Sequence, residues 1–387
     1  MNGQKKFKIA VIAGEPSGDQ LGGAFLKALK VKLPHINIIG IGGPAMQAQG
    51  LVSLFPMEEL SLMGFWSILK NLPRLFKRLH QTLAFLKAEK PDILITIDAP
   101  EFSFRVAQKL QGQGIKLVHY TAPTVWAWRP GRAKKIAQFL DHLLTTYPFE
   151  NPYFEKYHLP TTFVGHAVVE KGIDKIGRQV FRTKYGLGEA KILTLMPGSR
   201  RSEVSALLPV FKKVVERLAT ENKALKIFLP VVSAVKESVL SFLQDCSIPV
   251  HLIEEEEEKY ELMRASTAVL AASGTVNLEL LMANVPFVIT YRVSPFTAWC
   301  VRQLLHVPYV TMVNIIENRA VVPELLQENC TASQIYQAIH PFLYDDAKRR
   351  QVQRDLKKIA GKLCPEDTEL PSQKAADVIL EMLLSEK

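Results

Sequence analysis

The sequence predicts an α/β chain of two doubly wound domains facing a cleft. Short apolar runs alternate with helical segments along nearly all 387 residues, as parallel sheets with crossover helices require. Three of those runs end in small-residue turns that open a helix: Gly14-Glu15-Pro16-Ser17-Gly18-Asp19, Pro197-Gly198-Ser199 and Ser273-Gly274-Thr275. Such corners, at the carboxyl ends of parallel strands, are where open α/β sheets keep ligands. A polar, glycine-containing stretch around Val168–Gly188 divides the pattern, and each part is long enough for its own core.

The first strand is read at Phe7–Ala13, followed by a helix over 20–31. Glu15, Ser17 and Asp19 stand in the turn between them, polar groups where a ligand would meet the sheet. A strand over 36–41 runs into Gly42-Gly43-Pro44. Between Leu60 and Phe85 the character changes: Phe65, Trp66, Ile68, Leu69, Leu72, Leu75, Phe76 and Leu79 recur at helical spacing, with Lys70, Arg74, Lys77 and Arg78 among them. Pro73 is expected to break that helix. An ordinary core-packed helix would show the same spacing; a basic, tryptophan-bearing surface that enters an anionic membrane or grips acyl chains is the alternative.

A strand over 92–97 delivers Asp98-Ala99-Pro100-Glu101-Phe102. A strand-end aspartate with a proline fixing the turn beyond it is well placed as a general base, although a helix-capping aspartate would look alike. The strand over 115–120 leads into TAPTVWAWRPGR, where Trp126 and Trp128 stand beside Arg129 and Arg132, an acceptor-pocket wall or simple aromatic–cation packing. His119 and His166 are read as structural. Strands over 143–146 and 162–164 close the first set.

The second set opens with ILTLMPGSRRSE, a buried strand and then a helix with Ser199 as N-cap and Arg200, Arg201 and Glu203 in its first turn. Two cations there oppose the positive end of the helix dipole unless an anion binds. A phosphate is the natural guest. The pattern continues through a helix over 207–220, a strand over 226–230, a helix over 234–245 and a strand over 250–253. The glutamate run Glu254–Glu258 reads as a solvated helix start, not a metal site. After the strand over 268–272 comes VLAASGTVNLELL's second corner, with Glu279 one turn into its helix and suited to accept from ribose hydroxyls; a strand over 286–291 and amphipathic helices from Ala332 onward complete the chain.

Composition narrows the function. With 48 Lys and Arg against 38 Asp and Glu the net charge is +10, which attracts nucleic acid, anionic lipid or phosphorylated substrates. Cys246, Cys300, Cys330 and Cys364 form no metal-ligand or CxxC pattern, so a reducing cytosol is expected. Met1–Lys8 leads straight into a strand, no apolar leader is expected, and no uncharged run is long enough to span a bilayer. A GxxxxGK[ST] loop is absent, against a P-loop kinase or ATPase. The assembled corners describe a transferase: a nucleoside diphosphate held by Ser199, Arg200, Arg201 and the backbone of Ser273–Thr275, and Asp98 taking a proton from an acceptor hydroxyl. Arginines and helix N-termini can stabilise a departing diphosphate, so neither metal nor other cofactor is expected.

Through GEPSGD at 14–19, IDAPEF at 97–102, VWAWR at 125–129, PGSRRSE at 197–203, ASGTVNLE at 272–279 and VPELLQ at 322–327, the chain resembles the lipid A disaccharide synthase family of bacterial glycosyltransferases. The resemblance implies the GT-B fold, two Rossmann-like domains, and transfer of 2,3-diacylglucosamine, with inversion, from its UDP donor to diacylglucosamine 1-phosphate. It implies Asp98 as the base for the acceptor's 6-hydroxyl and Glu15 and Ser17 as site residues. Arg200, Arg201, Ser273, Gly274, Thr275 and Glu279 fall on its UDP-binding motifs, and Asn314, Glu324 and Gln327 on the late motif. The family commonly has alanine at Pro16 and frequently serine at Thr121; neither change removes a reactive group. It also implies a cytoplasmic protein attached peripherally to the inner face of the inner membrane through Phe65, Trp66, Leu69, Leu72 and Phe76, no nucleic-acid partner, and homodimers with exchanged C-terminal segments. The expected domains are 1–175 on the acceptor and membrane side, 176–345 for the donor, and 346–387 returning to the first domain or exchanged. Another UDP-sugar glycosyltransferase or epimerase with a polar substrate, and a non-enzymatic binder of anionic lipid or nucleic acid, are the competing readings.

Overall fold

Two parallel sheets carry the chain, and both owe their buried strands to uninterrupted apolar runs. The computed structural model describes residues 6–60, 65–244, 246, 248–294, 297–298, 303, 307–364 and 370–385, with the backbone alone over 65–71. It forms two compact units, Met1–Glu170 with Leu363–Lys387, and Lys171–Lys362.

In the first unit, β1 (Lys8–Ala13), β2 (Asn37–Ile41), β3 (Val52–Ser53), β4 (Ile93–Ile97), β5 (Lys116–Tyr120), β6 (His142–Thr145) and β7 (Thr161–Phe163) form a seven-stranded sheet in the order β3-β2-β1-β4-β5-β6-β7. Ile9 lies opposite Ile38 on one side and Ile93 on the other, all in parallel register. Helices cover both faces, so β1 and β4 are buried throughout their apolar stretch rather than alternating. The strand order reverses between β1 and β4, which makes the gap beyond their carboxyl ends the switch point where ligands bind.

The helix Pro16–Lys32 starts earlier than its spacing suggests, because Pro16 fits the first helical position. Ser17 and Asp19 therefore lie in its first turn. The helix Pro371–Leu384 belongs to this unit and packs on Pro16–Lys32, with Asp377 paired to Lys32 at 2.6 Å and Ala375, Ala376 and Ile379 buried.

The helix Phe65–Glu89 runs unbroken through Pro73, contrary to the expected break. Pro73 is solvent-facing, so its ring and missing donor interrupt one bond of the helix without ending it. Leu79 turns into the core while Phe76 remains 49% exposed.

In the second unit, β8 (Ile192–Met196), β9 (Lys226–Pro230), β10 (Val250–Ile253), β11 (Ala268–Ala272), β12 (Phe287–Tyr291) and β13 (Glu324–Leu326) form a six-stranded parallel sheet in the order β10-β9-β8-β11-β12-β13. Its switch point falls between β8 and β11. The segment after Lys171 is part of this unit's core: Phe181 is fully buried, and the Arg182 guanidinium donates to the carbonyls of Gly188, Ala190 and Ala265. One long helix, Arg201–Glu221, replaces the shorter one expected, and passes through Pro209.

Candidate active site

Each switch point holds polar groups that the local chain geometry presents. In the first unit, β1 ends at Gly14 and β4 ends at Asp98-Ala99, two residues with left-handed backbones, φ +51° and +43°. Non-glycine residues rarely adopt that region, and two in succession mark a turn held by its surroundings. Gly14 makes the turn possible, since a β-carbon there would lie 2.6 Å from that of Ala99. Backbone bonds lock it: Asp98 N–H donates to the Tyr120 carbonyl at 2.9 Å, and Ser103 Oγ donates to the Asp98 carbonyl at 2.9 Å.

The Asp98 carboxylate accepts from Ser17 Oγ on Oδ2 (3.3 Å) and from Thr121 Oγ1 on Oδ1 (3.2 Å). Burial raises its pKa, and the two hydroxyl bonds pull it partly back. Glu15, exposed beside it, is raised by burial and then by the Asp98 charge. The structure thus brings Glu15, Ser17 and Asp98 together. Asp19 goes elsewhere: its carboxylate is buried and accepts from the backbone of Gly43, Ala45 and Met46, tying down the turn after β2. Thr121, which the sequence reading names only as a departure from the family's serine, bonds the Asp98 carboxylate directly. Its signal was available, since Ile97 and Tyr120 are paired across β4 and β5, so the residues that follow must meet.

Asp98 also lines a cavity of about 230 Å³ with His119, Thr121, Trp128, Arg129 and Arg132. His119 is neutral: burial and then the Arg132 charge push it down to about 3, and Thr96 Oγ1 holds its Nδ1 at 2.8 Å. Trp126 lies outside this cavity and donates Nε1–H to Oε1 of buried Glu150 at 3.3 Å. His166 accepts the Val168 N–H on Nδ1, a structural bond.

In the second unit the expected cap is corrected. Arg200, not Ser199, occupies the N-cap position, and Glu203 folds back so that Oε2 accepts from both Ser199 N (3.1 Å) and Arg200 N (3.3 Å). The carboxylate one turn in reaches both exposed amides, which the serine hydroxyl is not used for. Gly198 at φ +110° leaves it room. Arg200 is left 67% exposed with one 3.3 Å contact to Glu203, and Arg201 is exposed beside it. Arg200 lines a pocket of about 980 Å³ with Ser202, Arg292, Ser294 and Gln327, while Arg201 lies outside that lining. Arg292, just past β12, gave no motif signal.

The Ser273-Gly274-Thr275 turn follows β11, with Gly274 and Thr275 exposed. Glu279 lies beneath it, 8% exposed, accepting from Lys171 Nζ (2.6 Å) and Tyr260 on Oε1 and from Lys259 Nζ (3.1 Å) on Oε2. Burial would raise its pKa, but Lys259 and Lys171 outweigh that and hold it below the usual carboxylate range. Asn314 is fully buried and its amide is saturated: it accepts from Val321 N and Val322 N and donates to Val322 O and Glu324 Oε1. Glu324 in turn accepts from the backbone of Val310 and Thr311. Gln327 holds the backbone of Val293 at 3.3 Å, beside Arg292. Gln327 lines the pocket, whereas Asn314 and Glu324 brace the chain that leads into β13.

Of the proposed lipid-contact residues, the side chains of Phe65, Trp66 and Leu69 lie outside the described residues. Leu72 is half-buried and Phe76 exposed. Arg74 and Arg78 both pair with Glu59, at 2.8 and 2.6 Å, and hold its carboxyl down to about 2. Among the described residues no helix is long and apolar enough to cross a membrane, and no cluster could hold a metal ion.

Comparison with known proteins follows the same lines. Residues 9–378 match the family model described as lipid-A-disaccharide synthetase. A lipid-A-disaccharide synthase from Rhodospirillum centenum is 46% identical, covering 98% of this chain and 95% of its own. Another, from Paramagnetospirillum magneticum, is 40% identical over 97% of both. Among solved structures, an S. aureus MnaA–UDP complex superposes with a TM-score of 0.64 at 14% identity, covering 99% of this chain and 98% of its own. A putative UDP-N-acetylglucosamine 2-epimerase from Listeria monocytogenes gives 0.63 at 14% identity over 98% and 96%. At such identities the likeness is one of fold: two Rossmann-like domains of the GT-B type.

Proposed function

We propose, from the premise that the chain belongs to the lipid-A-disaccharide synthetase family, that its two switch-point corners divide one glycosyl transfer between them. The enzyme is a glycosyltransferase that moves 2,3-diacylglucosamine from its UDP donor to 2,3-diacylglucosamine 1-phosphate, giving the disaccharide 1-phosphate and UDP. Asp98 accepts the proton of the acceptor 6-hydroxyl as that oxygen attacks the anomeric carbon. The bond from that carbon to the diphosphate breaks, UDP leaves, and the configuration inverts.

The observation that carries this reading is the Asp98 carboxylate at the β1/β4 switch point, made more basic by burial yet kept ionisable by Ser17 and Thr121. A base needs that balance. Glu15, at the same corner, would orient the acceptor sugar through its exposed carboxylate. Arg200 and Arg201 would hold the diphosphate, and the Ser273–Thr275 turn would present the amides of Gly274 and Thr275 to it, that of Ser273 being bonded to the Thr290 carbonyl. Glu279 accepts from Lys171 and Lys259, and the single Tyr260 proton lies closer to Glu256 (2.6 Å) than to Glu279 (3.2 Å), which leaves lone-pair capacity on Oε2 for a ribose hydroxyl. Asn314, Glu324 and Gln327 act by positioning.

Both substrates are lipids, and exposed Phe76 with Leu72 and Lys77 on one helix suits an anionic membrane surface on which they would be met. Exchange of the Pro371–Leu384 helix between two copies would rebuild on a partner the contacts it makes here with Pro16–Lys32.

The test is UDP release from UDP-diacylglucosamine with and without diacylglucosamine 1-phosphate, with the lipid product identified by mass. Release that depends on acceptor and yields a disaccharide 1-phosphate supports the reading. Release without the acceptor would favour a hydrolase or epimerase.

A further inference from the structure

The cavity beside Asp98 is asymmetric in charge, and the function proposed above uses only one side of it. Asp98 is the carboxylate of its wall; Arg129 and Arg132 supply cations. Arg132 is largely committed, pairing with Glu101 at 2.9 Å and lying over the Phe104 ring. Arg129 is not. Among the described residues it has no carboxylate partner, and its guanidinium lies 4.5 Å over the Trp128 ring.

Trp128 is itself fixed, its Nε1–H donating to Thr124 Oγ1 at 3.1 Å. A guanidinium stacked on an indole keeps its N–H groups in the open plane, where they can grip a tetrahedral oxyanion in a bidentate way. The backbone of Arg129 is left-handed, φ +55°, so the loop sets the side chain's direction through a conformation arginine rarely adopts. His119 adds no competing charge, because it is neutral.

We propose that Arg129, supported by Arg132, is the binding site for the phosphomonoester of the acceptor. The sugar would then lie with its phosphate on the arginine side and its hydroxyl on the Asp98 side. This assignment rests on the transfer reaction proposed above. It makes Arg129 a specificity-determining residue: it distinguishes a sugar 1-phosphate from the same sugar without phosphate.

The experiment compares the full-length parent with Arg129→Gln and Arg129→Lys in mixed micelles. Each is assayed with 2,3-diacylglucosamine 1-phosphate and with the acceptor lacking the phosphate. Arg129→Gln should raise KM for the phosphorylated acceptor about 10- to 100-fold. KM for the UDP donor should stay unchanged, which also reports an intact fold, and Arg129→Lys should fall between. With the dephosphorylated acceptor, parent and variant should become equal. A variant equal to the parent on the phosphorylated acceptor, an equal loss on both acceptors, or a loss confined to the donor would each overturn the assignment while leaving the reaction standing. A parent that forms no disaccharide at all would overturn the reaction, and the assignment with it.

Discussion

Glu203 fills the space that a side chain on Gly198 would need: a β-carbon there would stand 2.7 Å from that of Glu203 and overlap its Oε2. The same carboxylate caps the helix behind Arg200 and Arg201. Gly198→Ala, strained further by φ +110°, should therefore cost about 1–3 kcal/mol of stability and weaken UDP binding. Thermal unfolding and calorimetric titration with UDP measure both. Glu203→Gln, which keeps an acceptor, should do less harm than the glycine change.

The close approach of Gly14 to Ala99, 2.6 Å for a built β-carbon, predicts a different balance. Gly14→Ala pushes against the Asp98-Ala99 turn, so kcat should fall further than stability. A variant with parent-like kcat and a lowered melting temperature would show that the turn's geometry does not matter to the reaction.

Glu150 predicts a pH dependence. It is almost fully buried, and burial raises its pKa to about 7 against the lowering bonds from Tyr147, Thr146 and Trp126. Between its ordinary value of 4.5 and about 7 the unfolded chain is deprotonated at this group while the folded one holds the proton. Its contribution to stability is thus fully present below 4.5 and lost as pH rises through about 7, by up to roughly 3 kcal/mol. Glu150→Gln should remove that part of the decline. Parallel melting-temperature profiles for parent and variant would contradict the burial argument.

Serine at Phe65, Trp66, Leu69 and Leu72 should reduce sedimentation with anionic vesicles while UDP binding is kept. Unchanged sedimentation would defeat the membrane role of that helix.

The fold was legible because its signals are local. Ile192–Met196 and Ala268–Ala272 are apolar runs ended by small residues, and both are strands within a residue of where the pattern puts them. The short edge strands Val52–Ser53 and Glu324–Leu326 were not legible, since runs this short carry little periodic pattern, although Thr161–Phe163, equally short, was legible to within one residue. Ser199 reads as a cap because a serine before a helix is the usual signal, and nothing local says that Glu203 reaches back instead. The clamp of Lys171 and Lys259 on Glu279 joins residues far apart in sequence. Long-range ion pairs of that kind leave no trace in spacing, whereas Asp98, at the end of an apolar strand before a proline, does.

The most direct measurement compares Asp98→Asn with the parent in acceptor-dependent UDP release, alongside UDP affinity. Removing the base should lower turnover by about a thousandfold and leave UDP binding unchanged. An Asp98→Asn enzyme as active as the parent would contradict the assignment of Asp98 as the base.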